Sequence, residues 1–337
     1  MEIGQAKSNA YLYSNHISVP ATLQNSTNLR TIRYNFMKNL INMRIYKFQL
    51  AYIKYFNFLN MKLFYYITIL TIINGCQSIS LPKEKYNQFD LSTVKVYIKN
   101  DTLFCLLNNT LNCPLRYYIS ISDSNINKSL HSLYPITFRS KKDTLIRIPL
   151  HSNSSDKLQT YWGACIGDLD KKIEYNKMSL PFCKGKSYKI IQGYNGKFSH
   201  HTDYSRYAID FELQSNDTIC AADKGFVVGV IKDYTLGGND KRLEDFANYI
   251  TVYHPHSGIY TQYAHIKYNG SLVKVGDTVK QGQAIALAGM TGFTSIAHLH
   301  FNVLIPCPPR DGFKSVPIEF MENYSGNKLR INDIVKK

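Results

Sequence analysis

The sequence predicts a mostly β protein with antiparallel sheets, on three observations. Short runs alternate apolar with polar side chains, clusters of Asn, Asp, Ser and Gly separate those runs, and a helical period is nearly absent. With 337 residues the chain is long enough for two or three domains with a real core, and 44% hydrophobic against 19% charged residues excludes wholesale disorder. Forty Lys and Arg against 24 Asp and Glu leave a formal charge of +16, which raises the question of nucleic acid. The distribution of that charge argues otherwise. Residues 1–62 hold eight Lys/Arg and one acid, so the remaining 275 residues carry +9. A basic leader ahead of an apolar stretch reads as membrane targeting, and no nucleic-acid partner is expected.

Taken in order, residues 1–60 form an upstream extension without a trustworthy strand or helix period, consistent with Met61 as the true first residue. From Met61 a lysine precedes the uncharged run Leu63–Ile73, which ends in Asn74-Gly75-Cys76. Residues 61–75 therefore read as a secretory signal, since a bilayer-spanning helix needs about 20 apolar residues. Ending on Ile-Asn-Gly-Cys, the segment resembles a bacterial lipoprotein signal. That resemblance implies lipidation of Cys76, a membrane contact through the anchor, and an exported protein of the cell envelope, in the periplasm or at the outer membrane. Residues 76–90 are polar and read as a tether. The six later cysteines, Cys105, Cys113, Cys165, Cys183, Cys220 and Cys307, contain no C-x-x-C pair, so neither a structural zinc site nor a thioredoxin-like motif is expected. An oxidising compartment permits disulfides, with Cys105–Cys113 placed to staple a hairpin and free buried thiols as the alternative.

A small antiparallel β-domain is expected over 91–155, from the runs Val94–Ile98, Leu103–Leu107, Arg116–Ile121 and Thr144–Pro149. It carries no catalytic constellation, and His131 and His151 read as surface residues. Residues 156–192 read as a connector, 193–325 as a second β-domain and 326–337 as a tail. In the second domain Tyr207–Leu213 alternates, which places Asp210 and Glu212 on one face. Gly225–Val230 is a continuous apolar strand. Tyr249–Tyr253 and Ile259–His265 flank a His-Pro-His-Ser-Gly turn that leaves His254 and His256 exposed. Val273–Val279 and Ala284–Ala288 flank a second hairpin, and His298–Ile305 is a last apolar strand stopped by Pro306.

The chemistry concentrates in histidines. In a strand, His298 and His300 point the same way about 7 Å apart while Leu299 faces the opposite side. Two imidazoles side by side make a poor core and a good half-site, one ring for a metal and its neighbour for proton transfer. Tyr263-Ala-His265 on another strand and Asp210 on a third strengthen that reading. The order of Phe198-Ser-His200, Tyr207-Ala-Ile-Asp210-Phe211, Ala221-Ala-Asp-Lys-Gly225, Tyr263-Ala-His265-Ile266, Val275–Gln283, Gly289-Met-Thr-Gly292 and His298-Leu-His300-Phe301 resembles the lysostaphin/LytM-type zinc endopeptidases, which cut peptide cross-links in bacterial cell walls.

The resemblance implies a LytM-like β-sheet peptidase domain with a groove, peptidoglycan peptides as substrate, and a Zn2+ ion held by His200, Asp210 and His300 with water in the fourth position. It makes His265 and His298 the catalytic pair, without saying which is the base. The sequence also departs from the family pattern. His200 and Asp210 are ten residues apart, no glycine follows the histidine, and His201 is an alternative ligand to His200. Ser295-Ile296-Ala297 replaces a glycine-containing stretch and Asn302 replaces a frequent acid, changes that bear on specificity. The runner-up reading is a catalytically silent member of the same fold that binds and activates other wall hydrolases. A regulatory protein partner is open under either reading. A cupin-like site is set aside because Phe-Asn-Val-Leu, and no glutamate, stands in the few residues after His300.

Overall fold

Alternation becomes antiparallel pairing in most strands of the described residues. The computed structural model describes residues 80–86, 94–134, 136–139, 142–150, 159–308 and 312–337, with Met43 besides. The upstream extension, the signal-like segment and the lipidation candidate Cys76 lie outside the described residues. So does His151. Among the described residues no helix is long and apolar enough to cross a membrane.

The first module consists of β1 (Lys95–Lys99), β2 (Thr102–Asn109), β3 (Leu115–Ile121), helix α1 (Ser124–His131), β4 (Ile136–Phe138), β5 (Lys142–Pro149) and β6 (Thr160–Ile166). Its two antiparallel sheets run β1-β2-β5 and β4-β3-β6. Asn100 and Asp101 both take positive φ (48° and 47°), the geometry of a tight hairpin turn, and Asn and Asp tolerate it better than most residues. Along β2 every second side chain is inward, so Leu103, Cys105 and Leu107 are buried. Helix α1 is eight residues long, too short to show a period in the sequence. Asp123 caps it, accepting from the amides of Asn125 and Ile126, and Ile126 and Leu130 face the module core. Strand β6 comes from the stretch that read as a connector and pairs with β3 over its whole length.

Arg116, on β3, is fully buried. Its Nη2 reaches the Ile166 carbonyl at 3.4 Å while Nε and Nη1 have no partner. Among the described residues no carboxylate forms an ion pair with it. A buried cation without a counter-charge keeps its desolvation penalty. Arg116→Met retains most of the side-chain volume and is expected to raise the melting temperature by a few degrees, corresponding to about 1–3 kcal/mol. A clear fall in melting temperature on calorimetry would show that the guanidinium is satisfied and stabilising.

The second part holds β7 (Ser187–Gln192), β8 (Ile209–Phe211), β9 (Thr218–Cys220), β10 (Gly225–Ile231), β11 (Gly237–Gly238), a 3-10 turn at Lys241–Phe246, β12 (Tyr249–His254) and β13 (Ile259–Ala264). It continues with β14 (Ile266–Ser271), β15 (Thr278–Val279), β16 (Ala284–Ala288), β17 (Gly292–Phe293), β18 (Leu299–Pro306), β19 (Phe313–Ser315) and β20 (Ile334–Lys336). A nine-stranded sheet runs β15-β10-β12-β13-β18-β8-β7-β20, with β19 added on β18. The run Val273–Val279 keeps only its last two residues as strand, because Gly276 turns the chain at φ +95°. Strand β14, which the sequence did not announce, pairs with β16.

The two faces of the nine-stranded sheet differ. Leu299, Phe301, Val303 and Ile305 of β18 enter the large core with Ile209, Phe211 and Tyr263, packed against the β14-β16-β9 sheet and the segment around Met178–Phe182. The alternate residues His300, Asn302 and Leu304 take the other face. At one end of that face Leu304, Tyr260, Tyr253 and Val228 share a core with the first module. At the other end the face opens into a groove. His254 and His256 do not behave as exposed turn residues. His254 is fully buried, with Nδ1 2.8 Å from the Lys224 carbonyl and Nε2 2.9 Å from Thr261 Oγ1, and His256 pairs with Asp223. His254 is the last residue of β12, opposite Ile259, and so is buried as a strand residue, while His256 stays half-buried in the turn.

Candidate metal centre

Strand β18 lies between β13 and β8, and its register builds the site. His300 pairs with Asp210 on one side and with Ala264 on the other. Directly opposed residues of antiparallel strands bring their Cβ atoms to about 5 Å on one face. His300 Nδ1 accordingly stands 2.9 Å from Asp210 Oδ1. His200 arrives from the loop after β7, with Nε2 3.1 Å from His300 Nδ1 and 3.2 Å from Asp210 Oδ1. Among the described residues these three are the group of donors placed to hold one metal ion.

Donors at about 2.0–2.1 Å from one tetrahedral cation stand about 3.3 Å apart. The observed triangle, with edges of 2.9, 3.1 and 3.2 Å, fits that spacing. Its chemistry fits too. Three potential ligand atoms face one another in a buried pocket, and no placement of protons alone gives every edge of the triangle a donor opposite an acceptor. Two imidazoles and a carboxylate form a set that suits zinc.

The surrounding shell fixes each donor. His200 donates from Nδ1 to the Gly193 carbonyl at 2.9 Å, which leaves Nε2 as the lone-pair atom. Asp210 Oδ2 accepts from Gln192 Nε2 at 3.2 Å, and the same amide nitrogen reaches Ser199 Oγ at 2.7 Å. Burial opposes ionisation of Asp210, but the charge and hydrogen bonds of the histidines outweigh it and hold its carboxyl well below the usual range. Burial likewise pulls the His200 pKa down, and Asp210 more than reverses it, so His200 is raised. His300 is lowered, chiefly by burial, against the pull of Asp210.

Two further histidines border the trio. His265 follows β13 in a left-handed conformation (φ +62°), uncommon outside glycine and a frequent sign of a functional constraint. Its Nδ1 donates to the Thr291 carbonyl at 2.7 Å. Burial first, then the neighbouring His298 and His300, lower its pKa to about 3, so the ring is neutral at physiological pH. His298 is anchored through Nδ1, 2.9 Å from the Ile296 carbonyl and 3.0 Å from Thr294 Oγ1. Its Nε2 lies 3.9 Å from Asp210 Oδ2, and the His265 and His298 ring centres are 4.5 Å apart. Both rings thus have Nδ1 tied to the protein and Nε2 left for chemistry.

A groove of about 560 Å³ passes over these residues. Phe198 and Phe293, stacked at 4.6 Å, form one wall, and Glu244, Asp245 and Tyr249 lie on another. Gly292 supports the aromatic wall: its φ is +83°, and a Cβ there would stand 2.6 Å from Ala247 Cβ. Ser295 and Ile296 line the groove, as their place before the His-x-His pair suggested. Asn302 is instead fully buried and acts from beneath, its amide donating to the Tyr204 carbonyl at 2.6 Å. His201 is exposed and outside the trio. Glu212 pairs with Lys189 at the surface, away from Asp210's partners. Gln192, Thr291 and Thr294 escaped the sequence reading, because the signal that marks them is the strand register and not their residue type.

The model of Peptidase family M23 matches residues 204–311, a stretch that includes Asp210, His265, His298 and His300 and begins four residues after His200. Peptidoglycan DD-endopeptidase ShyB of Vibrio cholerae is 33% identical over 135 residues, 39% of this chain and 28% of that protein. Lysostaphin of Staphylococcus staphylolyticus is 34% identical over 101 residues, 29% of this chain and 18% of that protein. The matched stretches therefore span less than a third of either relative. A solved zinc-containing peptidase of Vibrio cholerae overlaps 69% of this chain and 79% of that one at 19% identity, with a TM-score of 0.32.

Proposed function

We propose that this chain, which carries a peptidase family M23 domain homologous to ShyB and lysostaphin, is an exported zinc endopeptidase that hydrolyses peptide cross-links of bacterial peptidoglycan. The observation that carries the reading is the buried triangle of His200, Asp210 and His300 beneath an open groove, with two more imidazoles beside it. In this reading the trio holds the ion and His265 and His298 do the proton chemistry. His201 takes no part. The envelope location and a lipid anchor at Cys76 belong to the same proposal and rest on the signal-like segment.

A cation held by the trio supplies a water of lowered pKa and polarises a bound carbonyl. The protein's own residues do the rest. Asp210, ionised at all ordinary pH, balances the charge gathered in the site. His265 and His298 present Nε2 to the groove, where one accepts a proton from the attacking water and the pair then stabilises the oxyanion and protonates the leaving amine. The Phe198–Phe293 wall offers an apolar face against which an extended peptide lies, keeping its scissile bond over the histidines. A silent, regulatory role is the weaker reading, since no metal-ligand or catalytic position has lost its side chain.

The test is the muropeptide profile of purified peptidoglycan after incubation with the full chain in detergent. Cross-linked dimers should decline and monomers accumulate. A strong chelator should stop the reaction and added zinc should restore it. An unchanged profile from protein carrying stoichiometric zinc would overturn the endopeptidase and leave the regulator.

A further inference from the structure

The six cysteines after Cys76 are all free thiols, and Cys105 and Cys113, placed by sequence to staple a hairpin, are buried without a bridge. A different pair is positioned for one. Cys183 Sγ and Cys220 Sγ lie 3.5 Å apart. Their backbones run side by side: Phe182 bridges Ile219 antiparallel, and the Cys220 amide donates to the Pro181 carbonyl at 3.0 Å. A disulfide has its sulfurs about 2.05 Å apart, so each need move less than about 1 Å to close the bond. Cys220, at the end of β9, is buried, whereas Cys183 is partly exposed and open to an oxidant.

We propose that Cys183 and Cys220 are a disulfide-forming pair, closed by exchange with a low-molecular-weight disulfide, which clamps the segment that carries His200 and Asp210. The two cysteines are 37 positions apart, and the loop between them contains both residues. The clamp also sits next to the strand that aims Asp210, because Phe182, adjacent to Cys183, packs edge-on against Phe211 at 5.6 Å. Exchange begins at the accessible thiol. The Cys183 thiolate attacks the oxidant's S–S bond, forming a mixed disulfide and releasing one small thiol, which takes up the proton Cys183 gave up. Cys220 then loses its proton, attacks the Cys183 sulfur and expels the second small thiol, which carries that proton away. Two protein thiols are oxidised and one small disulfide is reduced to two thiols. The second step is the slow one. Burial, reinforced by Cys183, pushes the Cys220 thiol up to about 12, against the favourable charge of Lys337.

The experiment equilibrates the full chain in glutathione buffers of graded oxidation, alkylates the remaining thiols and maps peptides by mass spectrometry without reduction. The expected product is a cross-linked peptide pair joining Cys183 to Cys220, two hydrogens lighter than the separate thiols, with Cys105 and Cys113 still free. Oxidation should raise the melting temperature of the wild type by about 5–10 °C, and Cys183→Ser and Cys220→Ser should each abolish that rise. Cys183 and Cys220 remaining alkylatable in the most oxidising buffer, or a linkage to other cysteines, would overturn the proposal. Neither readout depends on peptidase activity, so failure of one proposal does not touch the other.

Discussion

Asp210→Asn and His300→Ala are each expected to lower zinc content from about one ion per chain to background and to cut peptidoglycan hydrolysis by at least about 10³-fold. The donor triangle is closed on every edge, so losing one corner removes a ligand and also releases the other two. Asp210 is the corner with the widest effect. Its carboxylate is what raises His200 against burial, and it is the charge that two imidazoles cannot replace. Asparagine keeps the shape and the contact with Gln192 Nε2 through its carbonyl oxygen, so the variant should fold with a melting temperature near that of the metal-free wild type. Metal analysis after dialysis, beside a melting curve, separates a lost ligand from a lost fold. Full zinc content in folded Asp210→Asn would sink the assignment of the trio.

The strand pattern was legible because alternation and turn chemistry act locally. Asp210 of β8 and His300 of β18 stand on the face that alternation gives them, whereas His298 lies one residue before β18 and His265 leaves the period of β13 by its left-handed turn. What joined them was register, which no local pattern carries. Nothing within Tyr207–Leu213 says that Asp210 will oppose His300, nor that Gln192 will pair with Asp210 from β7. The same limit explains the surprises elsewhere. His254 looked solvated because it borders a polar turn, yet β12 runs one residue further than its apolar pattern and buries the ring against the Lys224 carbonyl. The Cys105–Cys113 spacing suggested a hairpin staple, while the sulfurs that meet come from segments 37 positions apart. The first module, read as a domain on its own, shares a core with Tyr253, Tyr260 and Leu304 of the nine-stranded sheet. It therefore occupies one end of the face whose other end holds the histidines, and none of its described residues lines the groove.

His298→Ala should retain the metal and lose about 10²–10⁴-fold in turnover, the opposite signature to that of the ligand variants. His298 Nδ1 is held by the Ile296 carbonyl and Thr294, so its ring touches the trio only through Nε2, and that at 3.9 Å. Its removal leaves every edge of the donor triangle in place. His265 calls for a different substitution. Its φ of +62° would strain alanine, whereas asparagine accepts the left-handed region, so His265→Asn removes the imidazole with little backbone penalty. The ring, tied to Thr291 through Nδ1, leaves Nε2 for the groove, a nitrogen that asparagine cannot replace, and a loss of similar size is expected with zinc retained. The double variant is the more telling measurement. Ring centres 4.5 Å apart serve one reacting group, so two histidines working as a unit should make the double variant little worse than either single one. Multiplicative losses would instead mean that the two act in separate steps, one activating water and the other protonating the leaving amine. Zinc lost from His298→Ala would place that residue among the ligands and break the division of labour between the trio and the pair.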